Sequence, residues 1–256
     1  RPMNINDTST QLLFTTVPIV GITTEGTGVS GTGFFFSYDL EDGRKVPLLI
    51  TNHHVLKDVI QGRFVINLAE GDAPSRETIS VNFDKSFIEG KKLGELDLVA
   101  MPVAPVLSMF EENGKRPFYR SIDSGLIPKK SVLDNLAALE QITFIGYPSG
   151  LYDDYNKTPL IRQGWTSTPA WNDYKGKREF LVDASVFEGS SGSPAFILNQ
   201  GSYPTTDGIA IGSRLLFMGV ITQTITKEES EHLDLGTVIR SDAMLDKLKP
   251  FVEGLL

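Results

Sequence analysis

Short apolar runs of about four to eight residues, bounded by Gly, Pro, Asp or Asn, recur along the chain and predict strands separated by turns. Residues 1–10 are polar and read as loose, and Leu12 to Ile22 reads as a strand interrupted by Pro18. Gly28-Val-Ser-Gly-Thr-Gly-Phe-Phe-Phe36 is a Gly-rich turn entering an apolar strand. A hairpin turn at Asp39–Gly43 follows, then a strand over Lys45–Thr51 that runs into Asn52-His53-His54-Val55. Gly62–Leu68 and Glu77–Phe83 read as a strand pair, and Leu96–Met101 as a short apolar strand carrying Asp97. Residues 102–130 are punctuated by proline and hold no sustained period. They predict a connection between two halves, with one helical turn around Pro105–Glu112.

A second strand series covers Glu140–Gly146, Leu160–Thr166, Glu179–Asp183, Ser193–Leu198 and Leu215–Ile225. From Ser241 the period changes. Met244, Leu245, Leu248, Phe251, Val252 and Leu255 recur at steps of three and four, which predicts a terminal helix with one apolar face. Ser241 is placed to cap it and Pro250 to kink it. The pattern as a whole is that of an all-β barrel or sandwich protein ending in a helix.

Composition narrows the function classes. At 256 residues the chain can bury a core without disulfides or metal, and it contains no Cys. No apolar run approaches the ~20 residues of a membrane span. The net charge of −8 argues against a nucleic-acid backbone binder, which is normally basic. The first residues hold no apolar stretch like that of a signal peptide. With the missing Cys, this points to a cytoplasmic setting, with export as the other reading. The start at Arg1 rather than Met raises the expectation of an upstream segment that has been removed.

The most informative local stretch is Gly189-Ser-Ser-Gly-Ser-Pro194, a turn of small residues around Ser191. Such a turn can expose one hydroxyl and gather backbone N–H groups beside it, as a developing oxyanion requires. The plain reading is an ordinary Gly/Ser turn between strands. Of three histidines, His53 and His54 sit together at the end of an apolar strand, where neighbours face opposite ways. That disfavours a shared metal site, and no metal or other cofactor is implied. Asp97 lies between two leucines, where a buried carboxylate is costly unless it is hydrogen-bonded. It either faces solvent or orients a histidine ring. The Gly-rich segment at 28–33 lacks the Lys-Ser/Thr and helix of a phosphate loop, so nucleotide binding is not indicated.

Taken in order, Thr51-Asn-His-His-Val55, Leu96-Asp-Leu98 and Gly189-Ser-Ser-Gly-Ser-Pro194 resemble the His, Asp and Ser blocks of trypsin/chymotrypsin-like serine proteases. The likeness is nearest to the bacterial branch containing the HtrA-type proteases, whose histidine block reads Thr-Asn-x-His-Val. Gly28–Phe34 and Leu181–Pro194 add to it, so the resemblance spans about residues 17–240. It implies two six-stranded antiparallel β-barrels with the site between them. The expected division is 1–104 for the first barrel, 105–130 for the connection, 131–240 for the second barrel and 241–256 for the helix.

The same resemblance implies that His54, Asp97 and Ser191 form a catalytic triad, with the backbone N–H groups of Gly189 and Ser191 as oxyanion hole. Ser185, six residues before Ser191, falls at the floor of the specificity pocket, and Thr222 and Gln223 fall where substrate backbone pairs. An uncharged Ser185 implies an uncharged side chain before the cut. The expected activity is that of a serine endopeptidase acting on proteins or peptides, without nucleic acid or a membrane span. A partner domain or protein outside this chain stays open. The competing expectation is a peptide-binding or scaffold module of the same fold without turnover. An α/β-hydrolase is excluded because His54 and Asp97 both precede the serine.

Overall fold

A computed structural model describes residues 3–184, 189–205, 208–224 and 235–256, with Gln223 and Thr224 described in backbone only. In the N-terminal half, α1 (Thr8–Leu12) leads through a 3₁₀ turn to β1 (Thr16–Thr23), β2 (Gly28–Asp39) and β3 (Lys45–Thr51). Next come α2 (His53–Leu56), β4 (Val59–Glu70), β5 (Ala73–Asp84), β6 (Val99–Pro102) and α3 (Ala104–Glu112). The short strands β7 (Pro117–Phe118) and β8 (Ile122–Asp123) precede α4 (Lys130–Leu133). The C-terminal half holds β9 (Gln141–Gly146), β10 (Leu160–Thr166), β11 (Glu179–Asp183) and β12 (Pro194–Asn199). It continues with β13 (Ser202–Thr205), β14 (Gly208–Ile211), β15 (Arg214–Thr224) and β16 (Leu235–Arg240), and ends in α5 (Ser241–Glu253).

Strands β10-β11-β16-β15-β12-β9 close into a six-stranded antiparallel barrel. The N-terminal half runs β5-β4-β1-β2-β3-β6, with β7 added on β4 and β8 on β2. The chain is therefore all-β with a terminal helix, as its pattern predicts, but only the second half is a fully hydrogen-bonded barrel among the described residues. In the first half the ladder is not closed between β5 and β6. β6 is only four residues long, and the segment before it is a 3₁₀ turn followed by bends that touch β6 at a single Lys92–Val99 bridge.

Three consecutive phenylalanines show how the halves are joined. Alternate strand residues face opposite sides, so Phe35 enters the core of the first half while Phe34 and Phe36 point the other way. There they meet Ile145, Phe196 and Phe217 of the second half, and Met244, Leu248 and Val252 of α5. The helix thus buries a stripe spaced four residues apart into the seam between halves. It runs unbroken through Pro250, and its N-cap is Arg240, so Ser241 is the first helical residue and not a side-chain cap. The stretch 8–12, read as loose and then strand, is helical because the Asp7 carboxylate accepts the Thr10 N–H at 2.9 Å and caps its start.

Candidate active site

The site forms at the end of β3 in the first half. Asn52 ends the extended chain and α2 begins at His53, so the two histidines sit on a helical turn instead of a strand end. About 100° of helical rotation separates them, and only His54 turns toward the serine. His53 donates its backbone N–H to the Asp97 carbonyl at 3.1 Å, and burial lowers its pKa below the ordinary value.

Asp97 also departs from the strand reading. It lies in a bend just before β6, which begins only at Val99. The bend frees its side chain from strand alternation and turns it onto α2. Its Oδ1 accepts the His54 backbone N–H at 2.8 Å. Its Oδ2 faces His54 Nδ1 at 2.6 Å and accepts the Thr222 hydroxyl at 2.6 Å. Asn52 Nδ2 donates to the Asp97 carbonyl at 2.9 Å and fixes the backbone as well. Burial works to raise the Asp97 pKa, but the bonds from His54 and Thr222 outweigh it and hold the carboxyl below the usual range. An ionised acceptor on Nδ1 assigns the ring proton to that nitrogen and leaves Nε2 as an acceptor.

His54 Nε2 lies 3.0 Å from Ser191 Oγ. Ser190 is 1% exposed, so of the two adjacent serines only Ser191 reaches the histidine. Ser191 Oγ also lies 2.8 Å from the Thr222 carbonyl. The hydroxyl has one proton and two acceptors, and therefore donates to one at a time.

The serine turn is held from the first half by Thr32, a fully buried residue that the sequence reading passed over as part of a Gly-rich strand. Its N–H donates to the Ser191 carbonyl at 2.9 Å and its Oγ1 to the Gly189 carbonyl at 2.8 Å. The same Oγ1 accepts the Tyr147 N–H at 3.0 Å, and the Thr32 carbonyl accepts the Thr51 hydroxyl at 2.8 Å. The only signal in the sequence is a polar residue between two glycines in a stretch that turns fully apolar. Two glycines of the turn follow from this closeness. Gly189 has φ 84°, and a Cβ there would stand 2.5 Å from the Tyr147 carbonyl oxygen. Gly192 has φ 90°, and its Cβ would collide with the Thr32 carbonyl.

Thr222 was expected to pair with substrate through its backbone. The structure puts its hydroxyl on Asp97 and its carbonyl on Ser191. It lies where β15 and β16 slip register between Ile221 and Thr224, a bulge that re-aims the strand's side chains. No sequence signal links positions 97 and 222, because the pairing exists only once both halves are assembled. Ser185 and the side chain of Gln223 lie outside the described residues. The Ser190 carbonyl accepts the Ser193 N–H at 3.0 Å, and peptide planarity then directs the Ser191 N–H the opposite way. The peptide bearing the Gly189 N–H includes Glu188, outside the described residues. Among the described residues no group of three or more His, Cys, Asp or Glu is placed to hold a metal.

The model of the trypsin-like peptidase domain family matches residues 31–202, more than half of the chain and inclusive of His54, Asp97 and Ser191. The chain belongs to the trypsin-like peptidase family. Similar solved structures include the Rv3671c protease of M. tuberculosis in its active form, 14% identical with a TM-score of 0.53. That match covers 97% of this chain and 86% of the other. The HtrA-type protease AlgW with a decapeptide is 12% identical, TM-score 0.55, covering 98% of this chain and 68% of AlgW. HL collagenase is 13% identical, TM-score 0.55, covering 95% of each chain. At these identities the likeness establishes a chymotrypsin-like fold. Comparison with curated proteins returned no match. Among the described residues no helix is long and apolar enough to cross a membrane.

Proposed function

We propose that the chain is a serine endopeptidase that cleaves protein or peptide substrates through an acyl-enzyme. The carrying observation is the unbroken line from Asp97 Oδ2 to His54 Nδ1 at 2.6 Å and from His54 Nε2 to Ser191 Oγ at 3.0 Å. Attack begins when the Ser191 hydroxyl turns its proton from the Thr222 carbonyl to His54 Nε2. As Oγ bonds to the scissile carbonyl carbon, His54 takes that proton and then passes it to the departing amine. Asp97 stays ionised throughout and stabilises the imidazolium. Water then attacks the acyl carbon as His54 removes its proton, and His54 returns that proton to Ser191 Oγ as the acyl group leaves as a carboxylic acid.

The negative oxygen of each tetrahedral intermediate is assigned to the N–H groups of Gly189 and Ser191. Support comes from the Ser190 carbonyl bond, which turns the Ser191 N–H away from the interior. The acyl side of the substrate is assigned to β15 beyond Thr222. The preferred side chain before the cut is uncharged, on the identity of Ser185.

A fluorophosphonate probe and a quenched peptide library test the reading together. The unaltered protein is expected to label at Ser191 and to hydrolyse peptides, and Ser191→Ala to lose both. Labelling that survives in Ser191→Ala removes the nucleophile assignment. Peptide binding without any turnover by the unaltered protein replaces the enzyme with a binding module.

A further inference from the structure

On the outer face of the first half, β4 lies between β1 and β5. Val20 pairs with Arg63, Arg63 with Asn82, Val65 with Ser80, and Asn67 with Thr78. Alternation puts Val20, Arg63, Val65 and Asn67 on one face. The segment following β9 in the second half crosses over this face. Asn67 Nδ2 donates to the Lys157 carbonyl at 3.3 Å, and Arg76 Nη1 to the Tyr155 hydroxyl at 2.9 Å. Between sheet and segment lies a cavity of about 270 Å³, with Arg63, Asn67, Thr78, Ser80, Tyr152 and Lys157 in its lining.

This cavity shares a wall with the serine turn. Gly31, Tyr147 and Gly150 also line it. Gly31 precedes Thr32, whose N–H holds the Ser191 carbonyl, and Tyr147 donates its N–H to Thr32 Oγ1. The Tyr147 carbonyl oxygen and the Gly150 nitrogen lie 2.5 and 3.3 Å from where a Gly189 Cβ would stand. Thr222 and β15 contact Ser191 through a separate bond, to its hydroxyl. If the acyl side of a substrate follows β15, the departing side is led toward Gly31 and the cavity.

The lining carries two cations and no carboxylate, in a chain of net charge −8. Lys157 Nζ is already held by Asp154 at 2.6 Å. Arg63 is exposed, and its guanidinium makes neither a hydrogen bond nor an ion pair among the described residues. A guanidinium offers a planar fork of donors suited to a carboxylate.

We propose that this cavity is the subsite for the substrate segment after the scissile bond, and that Arg63 selects an Asp or Glu side chain there. The inference rests on the peptidase reading and adds the class of sequence the enzyme favours on its leaving side. Quenched peptides sharing one sequence before the cut, with Glu, Gln or Lys at each of the first four positions after it, provide the test. A small anilide with no peptide beyond the bond serves as control.

Glu at one position is expected to exceed Gln in kcat/KM by roughly 5- to 10-fold at low salt, the worth of one partly exposed charge-assisted bond. Arg63→Gln removes that preference and Arg63→Glu shifts it to Lys. Anilide turnover and fluorophosphonate labelling stay at the level of the unaltered enzyme in both variants. A Glu preference that is absent, or that persists in Arg63→Gln while the anilide is cleaved, overturns the subsite. Loss of anilide cleavage and labelling in the unaltered protein overturns the peptidase reading, and the subsite with it.

Discussion

At the scale of single residues, the site depends on how one carboxylate is held. The Asp97 carboxylate accepts three hydrogen bonds, and Thr222 supplies the one that does not come from His54. Thr222→Val keeps the shape and deletes that donor, so the folded-state pKa of Asp97 moves up toward its ordinary value of 3.8. The folded pKa is depressed in the unaltered protein, so the stabilisation from Asp97 is complete above the unfolded value. It is lost as pH falls through the folded one. Urea midpoints of the two proteins are therefore expected to differ most near neutral pH and to converge as pH falls through the depressed folded-state pKa, below which Asp97 is protonated in both states. A gap of constant size across that range counts against the hydrogen bond as its cause. The sequence identified Asp97 and preferred His54 over its neighbour through a resemblance of short blocks. It could not reveal Thr222 as the second support of Asp97, because that contact spans 125 positions and both halves of the molecule.

At the scale of elements, what was legible followed from period and punctuation. β3, β10 and β11 occupy the residues their apolar runs mark out, since a buried strand flanked by turn residues leaves a local trace. β16 was missed because its contiguous apolar run is only Val238-Ile239, directly before the helix, and its place is set by pairing with β11 and β15 on either side. The hairpin β13–β14 was missed because its strands are largely exposed and form a separate two-stranded sheet. Thr32 belongs to this scale too, because it ties β2 to the serine turn. Thr32→Val leaves the Gly189 carbonyl and the Tyr147 N–H without their buried partner, an expected loss of about 1–3 kcal/mol in stability. If that bond also fixes the oxyanion turn, kcat falls roughly tenfold, short of the ~10²–10³ for losing a donor outright. On the proposed peptidase reading, KM stays close to that of the unaltered protein, and Thr32→Ser, which restores the hydroxyl, recovers kcat. Equal loss in the Ser variant would reduce Thr32 to a packing role.

At the scale of the molecule, the two halves share a core and not only a cleft. His54 and Asp97 come from one half and Ser191 from the other, so the distances that link them require that the seam not slide. The seam is filled by Phe34 and Phe36 from β2, Phe196 and Phe217 from the barrel, and Leu248 from α5. Leu248 is fully buried, and Leu248→Ala removes packing that both halves use. A loss of about 2–5 kcal/mol is expected from the transfer and cavity terms together. Its distribution is the more informative outcome. Both tryptophans, Trp165 and Trp171, lie in the C-terminal half, whereas far-UV circular dichroism reports strands of both. With a common seam, fluorescence and dichroism should give one coincident urea transition in the unaltered protein, displaced in parallel by Leu248→Ala. If instead fluorescence and dichroism separate in the unaltered protein, the halves unfold independently. The seam would then be too weak to hold His54 within 3.0 Å of Ser191.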